Sequence, residues 1–162
     1  LYTRSNLKLT EADNFETFDE SYYPDTVNEA KYGIKISPRA NILKIRERSM
    51  KFVENFHKPD EKNLFFSGLT GVGKTFMSCC IARELLNKGR TVLYQSAPSL
   101  FNVINDTNNM VRPCKTIIST NIGAKQLHEY YDERVASRII GSFDMFRFTG
   151  EDIRMLKKIH SK

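Results

Sequence analysis

The stretch Gly68-Leu69-Thr70-Gly71-Val72-Gly73-Lys74-Thr75 constrains this chain more than any other feature. It fits the spacing G-x-x-x-x-G-K-[ST], and its flanks are the ones that spacing needs. Asn63 to Ser67 is an apolar run of strand length. Phe76, Met77, Cys80, Ile81 and Leu85 then recur at helical spacing until Asn87-Lys88-Gly89 stops the helix. Glycines let the backbone curl so that successive N–H groups face inward and form an anion-binding nest. The following helix adds its unsatisfied N-terminal N–H groups, including that of Phe76, and the positive end of its dipole. Lys74 supplies a point charge for β- and γ-phosphates, and the Thr75 hydroxyl is a ligand for Mg²⁺. Residues 68–76 therefore predict a nucleotide-phosphate site with Mg²⁺, and the loop alone does not choose among kinases, GTPases and ATP-driven machines. A guanine-specific N-K-x-D is absent.

The rest of the chain alternates in the same manner. Ser37-Pro38 reads as a helix start, with Ser as N-cap and Pro at the first helical position. The helix is expected to run to about His57, with Lys44, Arg46, Arg48 and Lys51 as a solvated face. Further strands are expected at Thr91–Gln95, Lys115–Thr120 and Phe143–Phe148. Short helices are expected around Leu100 to Ile104, at Ala124–Tyr131 and at Glu133–Ile140, the last capped by Asp132. Thr149, with Asp152 three residues on, should cap a final helix. Strands alternating with helices predict an α/β fold with a parallel sheet. Residues 1–36 lack either period, and we expect an extended arm or linker laid across the domain formed by 37–162.

Composition bounds the function without choosing it. The chain has 162 residues and a formal charge of +6, enough for one domain with a real core. Glu11 to Asp25 holds six acids and no base, whereas Lys31 to Lys51 holds seven bases against Glu47. A basic balance suits nucleic acid or nucleotide partners. Cys79, Cys80 and Cys114 cannot pair completely, and read as buried free thiols in a reducing compartment. No apolar run reaches the roughly 18 residues a membrane span needs, and no leader is visible, so a cytoplasmic protein without membrane contact is expected. The first residue is Leu1. We expect the chain to begin inside a longer protein.

Past the third strand the residues become specific as an ordered set. They are Thr116-Ile-Ile-Ser-Thr-Asn121, then Glu133-Arg134-Val-Ala-Ser-Arg138, then Gly150-Glu-Asp-Ile-Arg154. Together with the Ser-Pro-Arg helix start and the glycine loop, this order resembles the AAA+ ATPases of the bacterial helicase-loader family (DnaC/DnaI-like), to which the IstB-type transposition ATPases are related. The resemblance runs from about Ser37 to Arg154. It implies an AAA+ type P-loop fold and ATP hydrolysis. It also implies three partners: the replicative DNA helicase, single-stranded DNA, and neighbouring copies of the chain. By the same resemblance Asn121 looks like sensor 1, which positions the attacking water. Arg138 looks like the arginine finger acting in trans, with Arg134 as second choice, and Arg154 looks like sensor 2. Each residue also has a plainer reading: a turn residue for Asn121, surface ion-pair partners for Arg134 and Arg138, a first-turn arginine for Arg154.

An ATPase of this class needs a second acidic motif at the end of an apolar strand, and none is present. Between Ser96 and Lys115 the acid is Asp106, with no apolar run before it. Either the strand has been lost and the protein is an inert nucleotide-binding relic, or a segment is missing from the sequence near Asn105–Asp106. We expect the second. The alternatives to a helicase loader are an IstB-type transposition helper and a nucleotide-dependent interaction module without hydrolysis.

Overall fold

A computed structural model describes residues 9–93 and 115–160. Its frame is a three-stranded parallel sheet of β1 (Asn63–Ser67), β2 (Ile117–Thr120) and β3 (Phe143–Arg147), in the order β2-β1-β3. Leu64 pairs with Ile117 on one side of β1 and with Asp144 on the other. The fold is mixed α/β with helices on both faces of a parallel sheet. The central strand shows why.

The side chains of β1 alternate between two cores. Leu64 and Phe66 face a core shared with Ile42, Ile45, Phe52 and Val53 of α2 (Pro38–Asn55) and with Met77, Cys80, Ile81 and Leu85 of α3 (Lys74–Asn87). Phe65 faces the other way. It packs with Ile118 and with Leu127 of α4 (Leu127–Tyr130), and with Val135, Ala136 and Ile139 of α5 (Glu133–Ser142). A central parallel strand buried on both faces reads as a continuous apolar run, as Leu-Phe-Phe does. Cys79 and Cys80 are buried free thiols, and burial first of all pushes both thiols up, Cys79 to about 11 and Cys80 to about 12.

Local signals set most helix starts. Ser37 Oγ accepts the Ala40 N–H at 3.1 Å, with Pro38 in the first turn. Asp132 caps α5 through the Val135 N–H at 2.9 Å. A 3₁₀ turn at Ala124–Gln126 leads into α4, where one helix was expected. The last helix, α6 (Ile153–His160), departs from expectation. Asp152 takes the capping role, accepting from the Arg154 N–H at 3.0 Å. Thr149 is instead buried beside the sheet, its hydroxyl without a hydrogen-bond partner among the described residues. Gly150, at φ 137°, turns the chain between the two positions, so Thr149 never reaches the helix end.

Two further expectations need correction. Thr91–Leu93 is not strand. Residues 94 and 95 lie outside the described residues, as do the helix expected at 100–104, Cys114 and the join at Asn105–Asp106. The basic side of α2 is no simple solvated face either. Arg46 donates to the Phe15 carbonyl at 3.3 Å and lies over the Phe18 ring. Arg48 bridges Glu61 and Asp144 of β3, the latter at 2.8 Å. These arginines tie Phe15, Phe18 and β3 to α2, although Arg46 Nε is buried without a hydrogen-bond partner among the described residues.

Residues 9–36 lie against this frame and contain α1 (Glu29–Tyr32) and a 3₁₀ turn at Glu20–Tyr22. Phe15 and Tyr23 are buried in the α2–α3 core, and Tyr32 is buried as well. Asn28 caps α1 and Gly33 ends it at φ 66°. Glu151 receives Lys31 and the Tyr32 hydroxyl, the latter at 3.0 Å, so α1 is fastened beside the loop that leads to α6.

Candidate functional site

The loop between β1 and α3 emerges at the C-terminal ends of the parallel strands, where open α/β sheets place their ligands. Gly71 and Gly73 have φ values of 82° and 94°, which side chains rarely adopt. Space is as strict as the dihedrals. A Cβ on Gly71 would sit 2.1 Å from the Asp152 carboxylate, and one on Gly73 would sit 2.3 Å from the Tyr23 hydroxyl. The motif glycines are thus required by their neighbours as well as by the curl of the loop.

Lys74 is held at the centre. Its Nζ donates to the carbonyl groups of Gly68 and Leu69, both at 2.6 Å, and to Asn121 Oδ1 at 3.0 Å. Asn121 follows β2, the neighbour of β1, so parallel pairing brings residues 47 apart in sequence into contact. Its amide nitrogen donates to Thr70 Oγ1 at 3.3 Å. Burial, and then the positive charge of Arg154, hold the Lys74 amine below its ordinary value. A polyanion in the loop would relieve both effects, since it stabilises the charged ammonium.

A cavity of about 640 Å³ opens in front of the loop. Thr70, Gly71, Gly73, Lys74, Thr75 and Phe76 line it on one side, and Asn121, Arg154 and Lys157 on another. Thr75 is exposed in the first turn of α3, its hydroxyl available to a metal ion bound with phosphate. Gly68, Leu69 and Val72 instead border a second cavity behind the loop, and Val72 is buried. Their expected contribution is backbone N–H, which does not depend on where the side chains lie. Arg154 Nε lies 3.6 Å from Asp152, with its side chain largely exposed. Arg134 and Arg138 are on the exposed side of α5 and line neither cavity. The structure thus brings Asn121 and Arg154 to Lys74 and leaves the α5 arginines on the outside.

The far wall is what the sequence reading did not assign. Phe18, Asp19, Tyr22 and Tyr23 close the cavity from the N-terminal residues. The Phe18 ring stacks on Tyr23 at 6.1 Å and leans on Phe76 of α3 at 6.5 Å. Lys157 of α6 lies over the Tyr22 ring at 5.4 Å. The sequence shows Phe18, Tyr22 and Tyr23 along this stretch, but nothing local says that they meet a loop 50 residues onward. Asp19 is the acid among the lining residues, and its carboxylate already accepts the Ser21 N–H at 2.9 Å. No cluster of three or more His, Cys, Asp or Glu exists among the described residues. The arrangement suits a metal that arrives with a polyphosphate, held through Thr75.

No family model matches the chain. The arsenical pump-driving ATPase of Escherichia coli is 33% identical over 99 residues, which is 57% of this chain and 16% of that protein. The chain therefore spans about a sixth of the length of that curated relative. Among solved structures, a protein described as a primosome component of Streptococcus pyogenes serotype M3 superposes with a TM-score of 0.56 at 15% identity, over 78% of this chain and 87% of that one. The crystal structure of DnaI superposes with a TM-score of 0.54 at 19% identity, over 69% and 84%. The chain has the fold of these two proteins, and its glycine loop has the P-loop spacing. No helix among the described residues is long and apolar enough to cross a membrane.

Proposed function

We propose that the protein is an ATP-binding and ATP-hydrolysing loader that assists placement of the replicative DNA helicase on single-stranded DNA. The observation that carries this reading is the Lys74–Asn121 contact inside a curled glycine loop, on a fold shared with DnaI and a primosome component. Lys74 and the loop N–H groups hold the β- and γ-phosphates, and Thr75 ligates the accompanying Mg²⁺. Asn121 orients the attacking water, Arg154 meets the γ-phosphate from the same subunit, and Phe18 and Tyr22 wall the base. Mg²⁺ supplies neutralisation of charge on the transferring group. Arg138, or Arg134 after it, serves the site of a neighbouring copy. On this reading the acid that completes such a site comes from a segment expected near Asn105–Asp106, a join that lies outside the described residues.

Lys74→Ala is the direct test. Removing the ammonium should weaken a fluorescent ATP analogue by about tenfold or more, since a hydrogen bond to a charged group contributes roughly 1.5–3 kcal/mol. Equal affinity in the variant would remove the phosphate assignment and the function built on it.

The DNA part of the proposal rests on the charge of +6 and on the basic run Lys157, Lys158 and Lys162 near the chain's end. Single-stranded DNA should bind saturably with ATP present, and affinity should fall steeply with salt as counterion release loses its advantage. No saturable binding at about 150 mM salt would mean a solvated basic face and no DNA contact.

A further inference from the structure

Resting on the phosphate-site reading above, we infer that Tyr23 is a positioning residue for the cradle: its hydroxyl holds the Val72 carbonyl outward and thereby turns the Gly73 N–H toward the bound phosphates. The Tyr23 hydroxyl donates to the Val72 carbonyl at 3.1 Å in a buried contact that joins residues 49 apart. In a planar trans peptide the C=O and the next N–H point in opposite directions. No cis peptide occurs among the described residues. Fixing the Val72 oxygen therefore fixes the Gly73 amide hydrogen on the opposite side.

The peptides on either side are held in the same way. The Gly71 carbonyl accepts from the Ile153 N–H at 3.1 Å, which directs the Val72 N–H, and the Gly73 carbonyl accepts from the Met77 N–H at 3.0 Å within the start of α3. Three consecutive carbonyls are thus occupied from outside the loop, one by an N-terminal residue, one by the last helix and one by α3. Without a partner the Val72 peptide is the one of the three that can flip, because its acceptor contact comes from a side chain and not from backbone.

Tyr23 is itself braced for this role. Its side chain is 3% exposed, and its own carbonyl accepts from Arg39 Nε at 3.1 Å. The Arg39 N–H donates to the Pro24 carbonyl at 3.1 Å, which ties the same turn to the start of α2. The Phe18 ring stacks on the phenol with 6.1 Å between centroids. Burial pushes the Tyr23 hydroxyl well above its ordinary value, which favours the protonated, donating form. The 2.3 Å between that oxygen and a Cβ at Gly73 shows how closely it seats on the loop.

Tyr23→Phe deletes the oxygen and keeps the ring. We would measure ATP, inorganic pyrophosphate and adenosine by competition against a fluorescent ATP analogue, together with thermal unfolding and the ¹⁵N–¹H resonance of Gly73 without ligand. Affinity for ATP and for pyrophosphate should each drop roughly three- to tenfold, the range a single hydrogen bond covers. Adenosine affinity should not change, and the Gly73 amide should shift. A merely structural role would lower the melting temperature and weaken all three ligands alike, which overturns the inference. Equal pyrophosphate affinity in both proteins, or an unmoved Gly73 resonance, overturns it too. If the unsubstituted chain binds neither ATP nor pyrophosphate, the phosphate-site reading falls first and this inference falls with it.

Discussion

Arg138→Ala is expected to leave ATP affinity unchanged and to lower turnover by roughly 10³–10⁵, the range known for arginine fingers. The expectation follows from the proposed trans role of Arg138, with which its place on α5 is compatible. Arg138 is four residues from Arg134 on its exposed side, and neither residue lines the cavity around Lys74. On the proposed reading, the Arg138 guanidinium reaches a neighbouring copy's site, where it would stabilise charge spreading over the transferring phosphoryl group. Mixing Arg138→Ala with Lys74→Ala separates this from an effect within one subunit. Interfaces that combine an intact Arg138 with an intact Lys74 should regain activity that each variant lacks alone. The assay needs the helicase and single-stranded DNA present, so that subunits assemble. Wild-type turnover by Arg138→Ala under those conditions assigns the residue to the surface, and the same measurement on Arg134→Ala then tests the second choice.

Phe66→Ala should cost about 3–5 kcal/mol of folding stability, the usual range for deleting a buried Phe. Phe66 is fully buried at the centre of β1, with ring centroids 5.0 Å from Phe148 and 6.2 Å from Phe146, both in edge-on arrangements. The strands that flank the glycine loop thus meet on one side chain. The Phe148 N–H also donates to the Ser67 carbonyl at 2.7 Å, so a hole at Phe66 loosens the seat of both Gly68 and the turn leading to α6. Domains are stable by only about 5–15 kcal/mol, so the variant would lose a large fraction of what it has. Urea unfolding followed by circular dichroism reads the change. If Phe66→Ala does not fold, Phe66→Leu should still fold with a smaller loss, since it leaves less empty volume. A loss below about 1 kcal/mol for the alanine variant would mean that the ring is not in the core.

The sequence by itself determined what depends on neighbours in the chain. The glycine spacing and Lys74-Thr75 specify a curled loop ahead of a helix, and the structure has it. Ser37-Pro38 and Asp132 start helices because a side-chain oxygen two or three residues before an N–H needs no tertiary partner. The apolar run Asn63–Ser67 announced a strand, and only the structure showed it covered on both faces. Tertiary structure decided the rest. Thr149 has the residue type of a cap, yet packing of Phe148 against Phe66 draws it into the protein and hands the role to Asp152. Arg46 and Arg48 read as solvated until Phe15, Phe18 and Asp144 come within reach. Asn121 gains its place beside Lys74 through strand pairing, and Tyr23 gains its place beneath Val72 through burial of its ring. Caps and periods are encoded within a turn or two of chain. Contacts between residues about 50 to 130 apart form only when burying apolar surface offsets the entropy of closing the chain between them, and one stretch of sequence does not record that balance.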